Sequence, residues 1–203
     1  MFLEPKADNG RIEVITGSMF SGKTEELLRR IKRAKIAGQK CVLYKPIVDN
    51  RYHKTAVVSH DKNTLESIAV KNPEEIFNWI DGIDIIGIDE AQFFNVALVE
   101  VVRRLANMGK RIIVAGLDMD YMGKPFAPMP EIMAIAEYVS KTNAICVVCG
   151  KLASHSFRTA KSDKQVSLGA ENAYEARCRK CFNKGMSNQA NLFWMSKAIK
   201  GYK

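Results

Sequence analysis

The chain of 203 residues is short of several things, and each shortage narrows what it can be. No run of 18 apolar residues occurs, so no membrane-spanning helix is expected and no membrane partner follows. No apolar leader follows Met1 either: "MFLEPKADNGR" is polar and ends in turn chemistry, so the expected location is cytoplasmic. Histidine is scarce. His53, His60 and His155 fit no catalytic pattern and are expected at the surface or in loops. Also missing is a basic stripe with interleaved aromatics, the usual mark of a nucleic-acid groove. The net charge of +9 comes from scattered Lys and Arg, clustered modestly at "RRIKRAK" and in the last third. Solvated helix faces and affinity for small phosphates account for that charge, and no nucleic-acid partner is expected.

What is present organises itself as strands alternating with helices. At 47% hydrophobic, the chain can bury one substantial core with room for a small appendage. Residues 11–16, 40–46, 84–89 and 111–117 read as strands, nearly continuous in apolar residues. Between them, Leu27, Leu28, Ile31 and Ala34 mark one helix face, and Leu98, Val101, Val102 and Leu105 mark another. "NPEEIFNWI" opens with Asn72 as cap, Pro73 at the first helical position and Glu75 three residues after the cap. Buried strands separated by amphipathic helices imply an α/β fold with a parallel sheet flanked by helices.

Between the first strand and first helix stands "GSMFSGKT", Gly17 to Thr24. Gly-x-x-x-x-Gly-Lys-Thr is a phosphate-binding loop, formed here by Gly17, Ser18, Met19, Phe20, Ser21, Gly22, Lys23 and Thr24. Its glycines let backbone N–H groups turn inward, its lysine neutralises phosphate, and its hydroxyl holds Mg2+ with ATP. "IIGIDEAQFF" puts Asp89 and Glu90 at the carboxyl end of a buried strand, where ligands bind in open α/β sheets. Asp89 would support the hydrated Mg2+, and Glu90 could accept a proton from the attacking nucleophile. These motifs leave open whether that nucleophile is water or a substrate hydroxyl.

After residue 140 the character changes. Cys146 and Cys149 in "CVVC", and Cys178 and Cys181 in "CRKC", make two C-x-x-C pairs with 28 residues between them. Two such hairpins can close a tetrahedral Zn2+ site of structural type, with disulfides or free buried thiols as the rival readings. A cytoplasmic chain keeps thiols reduced, which favours the metal. The fifth cysteine, Cys41, falls inside a strand and reads as an ordinary core residue. The spacer is longer than in simple zinc ribbons, so a loop must extend between the hairpins, a suitable place for a substrate clamp. The expected organisation is a phosphate-loop α/β domain over 1–140, a small zinc-binding domain over 141–190, and a tail over 191–203.

"GSMFSGKTEELL", "YKPIVDNRY", "IIGIDEAQFF", "GLDMDYMGKPF" and the paired cysteines, in this order, resemble the cytosolic, zinc-containing thymidine kinase family, from about residue 11 to about residue 185. The resemblance implies transfer of the ATP γ-phosphoryl group to the 5′-hydroxyl of thymidine, and of deoxyuridine, in nucleotide salvage. It assigns Glu90 as general base, Lys23 and Thr24 as phosphate and Mg2+ ligands, and Asp49 with Arg51 as a pair reaching toward the phosphates, Asp49 being also Mg-associated. It places Met19, Leu117, Tyr121 and Phe126 in a thymine pocket, with Phe93 as stacking aromatic and Ser156 beside the base. The loop between the hairpins, called the lasso, would close over the nucleoside from Leu168 to Tyr174, Gly169 included, and read the base through backbone groups. It further implies a homotetramer and feedback inhibition by dTTP. The chain departs from the family at Gly169-Ala170, where Gly-Gly is usual, which could shift lasso closure because alanine tolerates positive φ less well. At Ser156 many members carry threonine. The bare residues also admit a second class, a nucleic-acid-dependent ATPase, and a third, a nucleotide-binding regulator without turnover.

Overall fold

The computed structural model describes residues 10–47, 56–58, 64–159 and 173–200. In chain order the regular elements begin with β1 (Arg11–Gly17), α1 (Lys23–Ile36), β2 (Cys41–Pro46), β3 (Ala56–Val58), β4 (Thr64–Glu66) and β5 (Ile68–Val70). Then come β6 (Ile85–Ile88), α2 (Ala97–Asn107), β7 (Arg111–Gly116), α3 (Met129–Ile135) and β8 (Tyr138–Thr142). Four short strands, β9 (Ala144–Ile145), β10 (Leu152–Ala153), β11 (His155–Arg158) and β12 (Tyr174–Arg177), precede α4 (Arg179–Lys200).

The strands expected from the apolar runs all form, and six strands pair in parallel in the order β5-β2-β6-β7-β1-β8. Strand alternation supplies both faces with apolar side chains. Ile12, Val14, Ile86, Ile88, Ile112 and Val114 face α2, where Leu98, Val101, Val102 and Leu105 meet them. Ile15, Ile85, Ile113 and Ala115 face α1 and its Leu27, Leu28, Ile31 and Ala34. Gly87 makes room for Leu43 of β2 and for α1, since a Cβ there would lie 2.7 Å from Leu43 Cδ1 and 3.3 Å from Ile31 Cδ1. One charged group interrupts that face. Glu13 is buried, and accepts bonds from Arg111 Nε at 2.6 Å, Arg11 Nε at 2.8 Å and Arg30 NH1 at 2.9 Å, tying two strands to α1.

Three features differ from the expectations. The capped segment at Asn72 has its capping box, yet winds as a 3-10 helix, Pro73–Trp79, not as an α-helix. The sheet also gains β8, whose sequence "YVSKT" is half-exposed at the sheet edge and so carries no continuous apolar run. The boundary drawn at 140 falls within this strand. His155, expected at the surface or in a loop, is instead buried in β11, its ring centroid 4.6 Å from that of Phe182. All four residues of β11 are buried, because other segments cover this short hairpin on both sides, a placement that only the tertiary fold decides. His53 and His60 lie outside the described residues.

Candidate active site

The phosphate loop is shaped by its two glycines for different reasons. Gly17 ends β1 at φ 146°, and a Cβ there would fall 2.2 Å from the Thr142 carbonyl oxygen of β8. At Gly22 a Cβ would meet only Glu25 Oε2, at an ordinary 3.7 Å, but its φ of 81° is the left-handed turn that starts α1. Within the loop, Lys23 Nζ arches back to the Ser18 carbonyl oxygen at 2.8 Å. The cysteine-rich segment braces the loop from outside. Ser18 Oγ donates to the Ala153 carbonyl at 3.2 Å, and the Met19 N–H donates to Ser156 Oγ at 2.9 Å. Ser21 and Thr142 share a hydroxyl bond of 2.9 Å, with Thr142 also donating to the Thr16 carbonyl.

Asp89 and Glu90 follow β6 directly. Asp89 is buried, and its two carboxylate oxygens lie 3.2 and 3.4 Å from the Thr24 hydroxyl. Glu90 is half-buried and left-handed, at φ 51° and ψ 41°, a conformation rare for a non-glycine residue. Its N–H donates to Asp89 Oδ1 at 2.9 Å, and its carboxylate accepts from the Gln92 amide. Gln92 Oε1 in turn accepts the Leu117 N–H at 2.9 Å.

Leu117 opens the loop "LDMDYMGKPF", which Asp120 closes by accepting N–H bonds from Met122 at 2.8 Å and Lys124 at 3.0 Å. Across from it stand β11 and β12, paired antiparallel from His155↔Arg177 to Arg158↔Tyr174. Arg158 joins the two sides. It is buried, its guanidinium lies 3.7 Å over the Tyr121 ring, and its NH2 donates to the Tyr174 hydroxyl at 2.7 Å. Met19, Phe93, Leu117, Tyr121, Phe126 and Tyr174 are all half-buried, while Ser156 is buried behind Met19. Asp49, Arg51, Leu168 and Gly169 lie outside the described residues.

The four paired cysteines converge, their sulfurs all within 4.8 Å of one another and Cys149 Sγ 3.7 Å from Cys178 Sγ. Tetrahedral zinc with Zn–S of about 2.3 Å requires sulfur separations of just that order. Burial pushes the Cys146 thiol up, but N–H groups of Cys178, Val148 and Cys149 outweigh it and bring it down to about 6. The Cys181 thiol is pushed up to about 12, first by its bond to Cys149 and then by burial. The cluster could hold a structural zinc ion. Cys41, in β2, is half-buried against the α1 side of the core, as expected.

Sequence reasoning named "DEAQFF" without seeing that its glutamine bridges two parts of the site. It passed over Arg158 altogether. Neither follows a spacing rule, and an arginine within "ASHSFR" reads as a solvated charge until β11 turns it inward.

A profile of the family described as Thymidine kinase matches residues 10–182. The chain belongs to the thymidine kinase family. Among its relatives, the thymidine kinase of Rhodothermus sp. is 58% identical over 85% of this chain and 81% of its own length. That of Bacteroides fragilis is 55% identical over 87% and 89%, and that of Bacteroides thetaiotaomicron 57% identical over 85% and 87%. Among solved structures, domain III of the Thermotoga maritima replication initiation protein DnaA reaches a TM-score of only 0.40. Its identity is 15%, over 70% of this chain and 57% of that one, too little to bear on function. No helix among the described residues is long and apolar enough to cross a membrane.

Proposed function

We propose that this protein is a thymidine kinase, transferring the γ-phosphoryl group of ATP to the 5′-hydroxyl of thymidine. The observation that carries the reading is the family match over residues 10–182, spanning both the phosphate loop and the cysteine cluster. Phosphoryl transfer needs little covalent help from protein and much positioning and charge neutralisation. Backbone N–H groups of residues 17–24 and the Lys23 ammonium receive the phosphates at the start of α1, whose dipole favours negative charge there. Thr24 and Asp89, two oxygen donors already side by side, would hold Mg2+, which supplies further neutralisation of the phosphate charge. Glu90 takes the proton of the 5′-hydroxyl, and Asp49 with Arg51 serve the phosphate side.

The nucleoside lies among Met19, Phe93, Leu117, Tyr121, Phe126 and Ser156, covered by the lasso with Leu168, Gly169 and Tyr174. Arg158, by stacking on Tyr121 and bonding Tyr174, supports that arrangement from below. Cys146, Cys149, Cys178 and Cys181 would hold Zn2+, which would cross-link the stem of the lasso. Deoxyuridine keeps the same hydrogen-bonding edge and remains a substrate. Feedback by dTTP, homotetramer formation, cytoplasmic location and a division into phosphate-loop domain, zinc-binding domain and tail, its first boundary moved from 140 to the end of β8, complete the proposal. Its test is ADP release with thymidine and then with single-stranded DNA; stimulation by DNA alone would overturn the kinase reading. Glu90→Gln should bind both substrates nearly normally and lose roughly 10²–10⁴ in kcat if proton removal is its task.

A further inference from the structure

Gln92 is 3% exposed, and both ends of its amide are committed. Chemistry dictates which end is which. A backbone N–H can only donate, so Oε1 faces Leu117, and Nε2, which can only donate, is left to face the Glu90 carboxylate. The room for this arrangement comes from Gly116, where a Cβ would stand 2.9 Å from Gln92 Oε1 and 2.7 Å from Met129 Sδ. Glu90 itself is held in an unfavourable backbone conformation, with its N–H returned to Asp89. A carboxylate on so constrained a backbone has one main freedom left, its side-chain torsions, and the Gln92 amide removes it.

We infer that Gln92 is a positioning residue: it sets the Glu90 carboxylate for proton removal and ties that setting to the nucleoside pocket at Leu117. The inference rests on the reading of Glu90 as the base. The bridge ends on the Leu117 N–H, a backbone group fixed by the end of β7, so the Gln92 amide holds the Glu90 carboxylate against the main chain of the fold. A misplacement of about 1 Å in such a group costs on the order of 10²-fold in rate.

The test is a kinetic cycle of Glu90→Gln, Gln92→Met and both together. Gln92→Met should lower kcat about 10–100-fold while the thymidine KM stays within about threefold. Added to Glu90→Gln, it should cost nothing more, because the group it positions is gone. If Glu90→Gln keeps wild-type kcat, the base reading itself is wrong. If Glu90→Gln falls and Gln92→Met does not, or if the two losses multiply, Gln92 does not act through Glu90 and the inference is overturned. Should Gln92→Met fold poorly, Gln92→Glu decides the matter, since it keeps the size and the acceptor for Leu117 but sets carboxylate against carboxylate. Two such groups share one proton, so activity relative to wild type should climb about tenfold as pH falls from about 9 to about 6. A flat ratio would overturn the inference equally.

Discussion

The sheet and the cysteine module hold themselves together by different means. In the sheet, Tyr44, Leu27, Leu98 and Ile112 are among many large side chains buried completely, on both faces. In the module, the buried cluster is Ala144, Cys146, Ala153 and Ala176, with Cys178 and Cys181 against it. Nearby, Phe157 and Phe182 meet edge to face at 6.1 Å. A fully buried leucine contributes about 1.5–3 kcal/mol, an alanine far less, while ordering each residue costs about 1–2 kcal/mol. The module thus has less apolar burial to offset that cost than the sheet has, and a metal on its cysteines would supply the difference. Yet the two meet at the phosphate loop, through Ser18 with Ala153 and Met19 with Ser156.

The sharpest way to break this contrast is to deny the four cysteines the zinc they could hold. Structural zinc contributes about 10–16 kcal/mol of apparent binding energy at such sites, so chelation or Cys178→Ser should unfold the module while leaving the sheet folded. Native mass should fall by one Zn2+, and hydrogen exchange should rise over 144–158 and 174–182 but not over β1, β6 and β7. The thymidine KM should rise more than that of ATP. Metal-free protein with unchanged exchange would show that the module stands on its own core.

The sheet has its own weak point, at Glu13. Burial pushes this carboxyl up, but Arg111 and Arg11 outweigh it and hold it below its ordinary value of 4.5. Because the folded value is depressed, its contribution is complete above about pH 4.5 and is lost as pH falls through the folded value. Glu13→Gln should cost up to about 3–5 kcal/mol at neutral pH, chiefly by taking the opposing charge away from Arg111, Arg11 and Arg30. Urea titrations at pH 7 and near pH 3 check both claims: the gap between variant and wild type should narrow in acid.

Base choice tests what the module does for the site. If lasso backbone groups read the base, one carbonyl accepts from thymine N3–H and one N–H donates to O4. Cytosine reverses both, and each unpaired buried group costs about 1–3 kcal/mol. Deoxycytidine should then fall at least roughly 10²-fold below thymidine in kcat/KM, with deoxyuridine losing only a methyl contact. Deoxycytidine within about tenfold of thymidine would rule backbone reading out.

The smallest expected effect is at the seam. Ser156→Ala leaves the Met19 N–H without its acceptor, a loss of about 1–3 kcal/mol. Because that N–H belongs to the phosphate loop, calorimetry and kinetics should find a modest fall in Tm and a rise in KM for both substrates. A rise for thymidine alone would mean that the seam serves the pocket only.

Much of this was legible in the chain. Apolar runs at 11–16, 84–89 and 111–117 announce buried parallel strands because both faces of each are covered, and Asn72-Pro73 with Glu75 announces a cap because capping is local chemistry. The phosphate loop, the acidic pair after β6 and the paired cysteines are likewise short motifs, readable because the groups they bring together are neighbours in sequence. Edge strand β8 escaped notice since half of it faces outward and its polar residues look like a linker.

What the tertiary structure alone decided are contacts between segments far apart in the chain. Gln92 reaches Leu117, Ser156 reaches Met19, Arg158 lies over Tyr121, and His155 is buried against Phe182. None has a spacing that could betray it. A sequence by itself determines local conformation and the periodicity of burial, because these depend on near neighbours. Which polar group meets which across the fold depends on strand order and register, and those emerge only when the whole sheet has closed over its core.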